Sequence, residues 1–353
     1  MIMKPLLRSL VPAEIRGTAL LNGEKPFRAK QLIDWLYRHE ALDWAEMSNL
    51  PAALRHKLAE DFDLTGLRPD VRQVSRDGTR KFLFRLRDAE TVESVIIPMK
   101  DHPTFCISSQ VGCAMACGFC ATARGGLKRQ LTAGEIVEQV LRLNRDLRAE
   151  PYPHLGGRLF NVVFMGMGEP LDNWTNVHQA LKILMDDAGL AMSRRRIQIS
   201  TSGPAEGLRA LLQDHPGVGL TLSLGGSNDT DRRRIMPVPG RTPVTGAVDL
   251  AAQYARRNGR RATLAWVLIA DKTDRPEQAR ELVALARRGP FKVNLIPLNP
   301  LDDGRLEPAS DQGVLAFQKI LTDAGVPAFI RASGGRDIAA ACGQLRRRRR
   351  NGS

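Results

Sequence analysis

Cys113, Cys117 and Cys120 stand at i, i+4 and i+7 within "CISSQVGCAMACGFCATARGG" (residues 106–126). Thiolates at that spacing on a loop can converge on one small inorganic centre, and Gly112, Gly118, Gly125 and Gly126 let the backbone wrap closely around it. A structural zinc site wants a fourth ligand nearby. The nearest histidines, His102 and His154, are not at finger spacing, and there is no second C-x-x-C. A cubane iron-sulfur cluster held by three thiolates leaves one iron open to a non-protein ligand, as a catalytic centre requires. Zinc or a purely structural cluster is the alternative reading of the same three residues. Of the five cysteines, Cys106 and Cys342 are left outside the triad.

Bulk composition narrows the setting. A chain of 353 residues suits about two domains, or one large α/β unit with an appendage, and needs no disulfide staple for its core. The first residues hold too short an apolar run for a secretory leader, and no stretch reaches the about 18 apolar residues of a membrane span. A soluble cytoplasmic protein with no membrane partner is expected. In a reducing compartment, clustered and odd-numbered cysteines bind metal or do redox chemistry rather than form bridges. Lys and Arg number 52 against 38 Asp and Glu, a net charge of +14, with five of the cations in "LRRRRR" at 345–350. The sequence pI near 10.1 points to a polyanionic partner, nucleic acid first, with a merely solvated basic surface as the plainer reading. Aromatic residues at 5% argue against an extended stacking platform for single strands.

The triad needs elements to hold it. Residues 1–75 read as a small helical accessory domain, with helical patterns at "FRAKQLIDWLYRHE" and "LPAALRHKLAEDF". Residues 76–103 read as a linking β-hairpin built from "RKFLFRLRD" and "TVESVIIP", 104–345 as the main domain, and 346–353 as a basic tail. In the main domain the β-rich runs "TFCISS", "LFNVVFM", "RIQIST", "VGLTLSL", "ATLAWVLI", "FKVNLIP" and "PAFIRA" alternate with amphipathic helical windows. Such βα repeats predict a mostly parallel sheet covered by helices, about six units, too few to close an eight-stranded barrel. Thr132 and Glu135 in "LTAGEIVEQVLRL" form a capping-box pattern, so Glu135 reads as a helix cap. The unusual residues all follow strands: the cysteine run, then "GMGEP", "STSG", "SLGG" and "PLNP". In parallel α/β folds the carboxyl ends of the strands are where ligands bind. "GMGEP" fails the dinucleotide fingerprint, because Leu171 occupies the third glycine position.

C-x-x-x-C-x-x-C after the first strand of a βα array resembles the signature of the radical S-adenosylmethionine (SAM) superfamily. Taken with "NVVFMGMGEPL", "ISTSG", "VNLIPLNP" and "DIAAACGQL", it resembles the RlmN/Cfr family of RNA adenine methyltransferases over residues from about 80 to 345. "PFRAKQ" is similar to that family's amino-terminal RNA-binding region. The resemblance implies a partial (β/α)6 barrel, a 4Fe-4S cluster on Cys113, Cys117 and Cys120, and SAM as second cofactor. It implies SAM contacts at Gly168, Glu169, Ser200, Ser223, Leu224, Gly225 and Asn299. Without it, the serines would read as ordinary loop residues.

For Cys106 and Cys342 the resemblance implies a shared role. Adenine C2 is not nucleophilic, so the family first methylates a cysteine, matching Cys342. A deoxyadenosyl radical takes hydrogen from that S-methyl group and the carbon adds to the ring. A base removes the ring proton, for which Glu93 matches, and the cysteine matching Cys106 releases product by forming a disulfide with Cys342. By sequence alone Glu93 would be a solvent-facing strand residue and Cys342 a small buried hydrophobe. The implied reaction is methylation of C2 of an adenosine in 23S rRNA, with tRNA as a second substrate, in a monomer served by a flavodoxin-like electron donor. The C8-methylating subgroup and a non-catalytic iron-sulfur RNA-binding protein are the alternatives. Two positions depart from the family pattern: Gly225 stands where a histidine is usual, and "ATLAWVLI" lacks the customary acidic residue.

Overall fold

The computed structural model describes residues 3–20, 23–155, 159–238 and 241–346. The expected basic tail beyond Arg346 lies outside the described residues. The chain opens with a 3-10 turn at Leu7–Ser9 and three helices, α1 (Pro12–Leu20), α2 (Phe27–Tyr37) and α3 (Ala52–Asp61). In α2 the buried positions Ala29, Leu32, Ile33, Leu36 and Tyr37 recur at helical period, so one face enters the core. Arg8 is buried among these helices and donates to the carbonyls of Leu64 (2.7 Å) and Ala41.

Three antiparallel strands follow, β1 (Leu67–Val74), β2 (Arg80–Leu86) and β3 (Thr91–Pro98), and then β4 (Pro103–Cys106). A short ribbon, β5 (Gln110–Gly112) and β6 (Leu127–Gln130), brackets the cysteine loop and α4 (Ala121–Arg124). From there strand and helix alternate: α5 (Ala133–Ala149), β7 (Asn161–Phe164), α6 (Trp174–Met185), β8 (Ile197–Thr201), α7 (Ala205–Asp214) and β9 (Gly219–Ser223). The chain continues through α8 (Asp229–Ile235), α9 (Val244–Arg257), β10 (Ala262–Leu268), α10 (Pro276–Ala286), β11 (Phe291–Pro297), α11 (Asp311–Asp323) and β12 (Ala328–Ile330). Among the described residues ten strands make one sheet in the order β1-β2-β3-β4-β7-β8-β9-β10-β11-β12. Within that sheet every pair in the run from β4 through β7 to β12 is parallel, so the α/β array read from the sequence is the observed one.

The expected hairpin is β2 and β3, but it is not free-standing. Strand β3 pairs with β4, which welds the hairpin to the parallel sheet, and β1 adds a further strand from within residues 1–75. Nothing in "LRPDVRQV" signals β1. Only Leu67 is buried, and a bulge between Pro69 and Val71 interrupts its pairing, as suits an edge strand held by its neighbour rather than by its own pattern.

The helix α5 bolts the layers together. Its capping box forms as expected, with Glu135 N donating to Thr132 Oγ1 (3.2 Å) and Thr132 N donating to Glu135 Oε2 (2.9 Å). Glu138 accepts from Leu67 N (3.2 Å), and Gly134 N donates to Ser9 Oγ (3.0 Å), tying the amino-terminal helices to the barrel. Buried Gln139 accepts from Ser94 Oγ and Ser108 N and donates to Ser108 O, so it fixes the chain just after β4. Among the described residues no helix is long and apolar enough to cross a membrane.

Candidate active site

At the carboxyl ends of the parallel strands lies a cavity of about 180 Å³. Cys113, Cys117 and Cys120 line it from the loop between β5 and α4, and Cys342 faces it from the carboxyl-terminal segment. Gly168, Glu169 and Asn299 line it from the loops after β7 and β11, and Ser200 and Ser223 from the carboxyl ends of β8 and β9. Residues scattered over more than two hundred positions thus meet at the end of the sheet where the parallel strands finish. Leu224, Gly225, Cys106 and Glu93 do not line the cavity.

The cysteine loop is held by its backbone. Cys113 N donates to Gly126 O (3.1 Å), Cys120 N to Cys117 O (3.1 Å), and Gly118 N to Ile235 O at the end of α8 (2.9 Å). At Gly112, with φ +80°, a Cβ would sit 1.9 Å from Gly126 O, so only glycine permits this closure. Burial pushes the Cys113 thiol up to about 12, and Cys117 is raised by burial and then by Cys120 and Cys113. Cys120 and Cys113 thus lie close enough to Cys117 to oppose its ionisation, a conflict that a bound cationic centre relieves. Among the described residues no three metal-ligating side chains are already gathered as a coordination set.

Glu169 is buried and fully satisfied. Its Oε1 accepts from Leu171 N (3.0 Å) and Thr201 Oγ1 (2.7 Å), its Oε2 from Ser202 N (2.7 Å) and Ser202 Oγ (2.8 Å). Burial pushes its carboxyl above the usual range, against the pull of these donors. Glu169 N donates to Gln110 Oε1 (2.8 Å). Gly168, at φ +105°, leaves room for that glutamine, because a Cβ there would lie 2.6 Å from Gln110 Cβ.

Asn299 is buried, and its Nδ2 donates to Cys342 O (3.1 Å) while its Oδ1 has no partner. A buried unsatisfied carbonyl oxygen on a cavity wall is a waiting acceptor. Cys342 is a free, half-buried thiol, and the next residue's carbonyl, Gly343 O, accepts from Ala121 N (2.7 Å) beside Cys120. Cys106 is free and buried, and burial followed by the neighbouring Cys342 pushes its thiol up to about 12. The disulfide expected between them is not formed in this structure; both remain thiols.

Glu93 corrects its sequence reading, for it is 1% exposed rather than solvent-facing. Strand β3 is covered on both faces from Thr91 to Ile96, so the carboxylate has no solvent-facing side to occupy. The carboxylate accepts from Arg346 N (2.9 Å) and lies 3.6 Å from Lys81 Nζ. Leu224 is core, its N–H donating to Ala265 O (3.1 Å). Gly225 sits at φ +68°, and a Cβ there would meet Met236 Sδ at 2.2 Å. Met236 itself lines the cavity, so the methionine occupies space that a side chain at 225 would need.

Residues 10–64 match the family described as ribosomal RNA large subunit methyltransferase N-terminal domain, and residues 107–283 match the radical SAM superfamily. A dual-specificity RNA methyltransferase RlmN of Geobacter sulfurreducens is 40% identical over 96% of this chain and 91% of its own. That of Sorangium cellulosum is 39% identical over 95% and 94%. The chain belongs to the RlmN family of radical SAM RNA methyltransferases. A radical SAM methyltransferase from Sphaerobacter thermophilus, 39% identical, shares the fold with a TM-score of 0.91 over 97% of this chain and 99% of that one.

Membership of the RlmN family and its superfamily implies SAM and a 4Fe-4S cluster, and the residues fit both. Three thiols on a glycine-wrapped loop and no competing histidine line the cavity wall, and the orphaned Asn299 Oδ1 awaits a donor such as an ammonium. Sequence reading missed Gln110, Thr201 and Ser202, although all three lie inside quoted motifs; their roles depend on which neighbour each reaches. Arg331, which lines the cavity and draws the Cys106 thiol downward, carried no motif at all.

Proposed function

We propose that this chain methylates C2 of an adenosine in 23S rRNA, and in tRNA as a second substrate, through an S-methylcysteine at Cys342. The observation that carries this reading is the meeting of two unlike cysteine sets: Cys342 shares the cavity of Cys113, Cys117 and Cys120 and lies close enough to the buried Cys106 to help raise that thiol. A structural cluster has no use for two extra thiols kept reduced beside it.

Cys113, Cys117 and Cys120 would hold the cluster, and Asn299, with Gly168, Ser200 and Ser223 around it, would receive SAM. Glu169, whose oxygens are all engaged, fixes the rim formed by the loops after β7 and β8. Together the bound cofactors supply a radical able to take hydrogen from a methyl group. Cys342 Sγ would first lose its proton to solvent, then take a methyl group from SAM as the sulfonium sulfur leaves in S-adenosylhomocysteine, and later present that carbon to the adenine ring. Glu93 takes the ring proton. Once the odd electron left by the addition has passed to an electron carrier, Cys106 as thiolate would attack the Cys342 sulfur. The S–S bond forms, and the S–CH2 bond breaks with its electron pair going to the methylene. That carbon takes up a proton as the product methyl group, and external reductant then reopens the disulfide. Residues 1–75 and the basic tail would contact RNA, and the target adenine must leave its stack to reach the rim. We place the chain in the cytoplasm as a monomer, with a flavodoxin-like protein as its electron source.

The test is the methyladenosine profile of rRNA and tRNA with and without the gene. Loss of 2-methyladenosine is expected. Loss of 8-methyladenosine instead would assign the chain to the C8 subgroup, and an unchanged profile would remove both.

A further inference from the structure

Lys81 is 3% exposed, on the strand of the hairpin that no motif singled out. Its Nζ donates to Ile338 O and to Ala339 O (3.2 Å) and lies 3.6 Å from Glu93 Oε1. The other Glu93 oxygen accepts from Arg346 N (2.9 Å). Residues 338–346 form a strap with Cys342 midway, and the Lys81–Glu93 pair therefore grips it at both ends. The centre of the strap rests on Asn299 and on Ala121 next to the cysteine triad.

Two further observations bear on this grip. The register pairs Lys81 with Val95, Val95 with Cys106 and Cys106 with Val163, so Lys81 and Cys106 share one face of the sheet, two strands apart. Ala339 is held at φ +51°, a left-handed conformation that is unfavourable for a non-glycine residue and persists only where surroundings impose it. That turn aims two successive carbonyls at one ammonium. Burying an ammonium is costly unless several partners answer it, and an apolar side chain would fill the same space at less cost.

We propose that Lys81 is a positioning residue for methyl transfer: by clamping the Ile338 and Ala339 carbonyls and the Glu93 carboxylate, it fixes the Cys342 thiol relative to the Glu93 base. This rests on the reading of Cys342 as the methyl carrier. The clamp acts on delivery of the methyl group and removal of the ring proton, and leaves cluster assembly and SAM cleavage to the other wall of the cavity.

Lys81→Met, Lys81→Arg and Cys342→Ala are compared with the parent protein after anaerobic reconstitution with iron and sulfide. Iron content, deoxyadenosine released, S-methylation of Cys342 by peptide mass and methyladenosine formed in rRNA are measured together. Expected for Lys81→Met is an iron content within about twofold of the parent, with methyladenosine per deoxyadenosine lowered by about tenfold or more, as misplacement of a reacting group produces. Lys81→Arg, which keeps the charge and donors, should recover most of that ratio. An unchanged ratio in Lys81→Met, or all products falling in parallel, overturns the proposal. If Lys81→Met fails to take up iron, Lys81→Gln replaces it with the same two outcomes. Failure of the underlying reading is distinct: Cys342→Ala would then still methylate RNA, or the parent would carry no methyl group on Cys342.

Discussion

Gly225 shows how one residue can trade a functional group for a backbone shape. The positive φ and the contact with Met236 mean that restoring the family's histidine at 225 meets two obstacles at once. Gly225→His should lower stability by about 1–2 kcal/mol from the backbone alone, and by more unless Met236 withdraws. Urea unfolding of Gly225→His and of Gly225→His with Met236→Ala checks this, the double variant recovering part of the loss. The thiols separate in the same residue-level way. Cys106 is buried with its thiol raised to about 12 from an ordinary 9.0, so its proton stays on at neutral pH and leaves only as pH climbs toward 12. In the metal-free protein, iodoacetamide should alkylate half-buried Cys342 ahead of Cys106 at pH 8, with the Cys106 rate still rising between pH 9 and 11. Peptide mass spectrometry reads both, and equal rates at pH 8 would contradict the burial argument.

At the scale of elements, α5 and β3 decide whether the site is rigid. Gln139 on α5 satisfies Ser94 Oγ and both backbone groups of Ser108, on either side of Cys106. Gln139→Leu keeps the volume but strands those buried partners, which should cost about 1–3 kcal/mol or more. Thr132→Ala removes only the cap of the same helix, with an expected cost of about 1 kcal/mol. Denaturant midpoints of the two variants should therefore rank Gln139→Leu as the more damaging. Equal losses would mean that α5 contributes through its packing alone. The hairpin teaches a related lesson: strand β3 is buried on both faces, which turns Glu93 from a surface carboxylate into an interior one.

For the whole molecule, charge is the governing quantity. A net +14 predicts RNA binding whose affinity falls steeply with salt, by about 10³-fold between 50 and 200 mM if six phosphates are neutralised. Filter binding with an rRNA fragment across that range checks the slope, and removal of the residues after Arg346 should flatten it. A slope near zero would mean that the basic surface serves solubility.

The sequence by itself determined the local chemistry of this protein: three thiols on a glycine-rich loop, a capped helix at Thr132, and a succession of βα units whose loops carry the unusual residues. Those features are short-range, written in spacing and periodicity, so a linear reading captures them. Only the tertiary structure decided that Cys342 meets the triad, that Glu169 is held by Thr201 and Ser202, that Met236 fills the space beside Gly225, and that Lys81 lies under the Cys342 strap. Strand register and sheet order set those relations. A single residue of slip would turn Lys81 and Cys106 to the opposite face, yet leave every motif in the sequence intact.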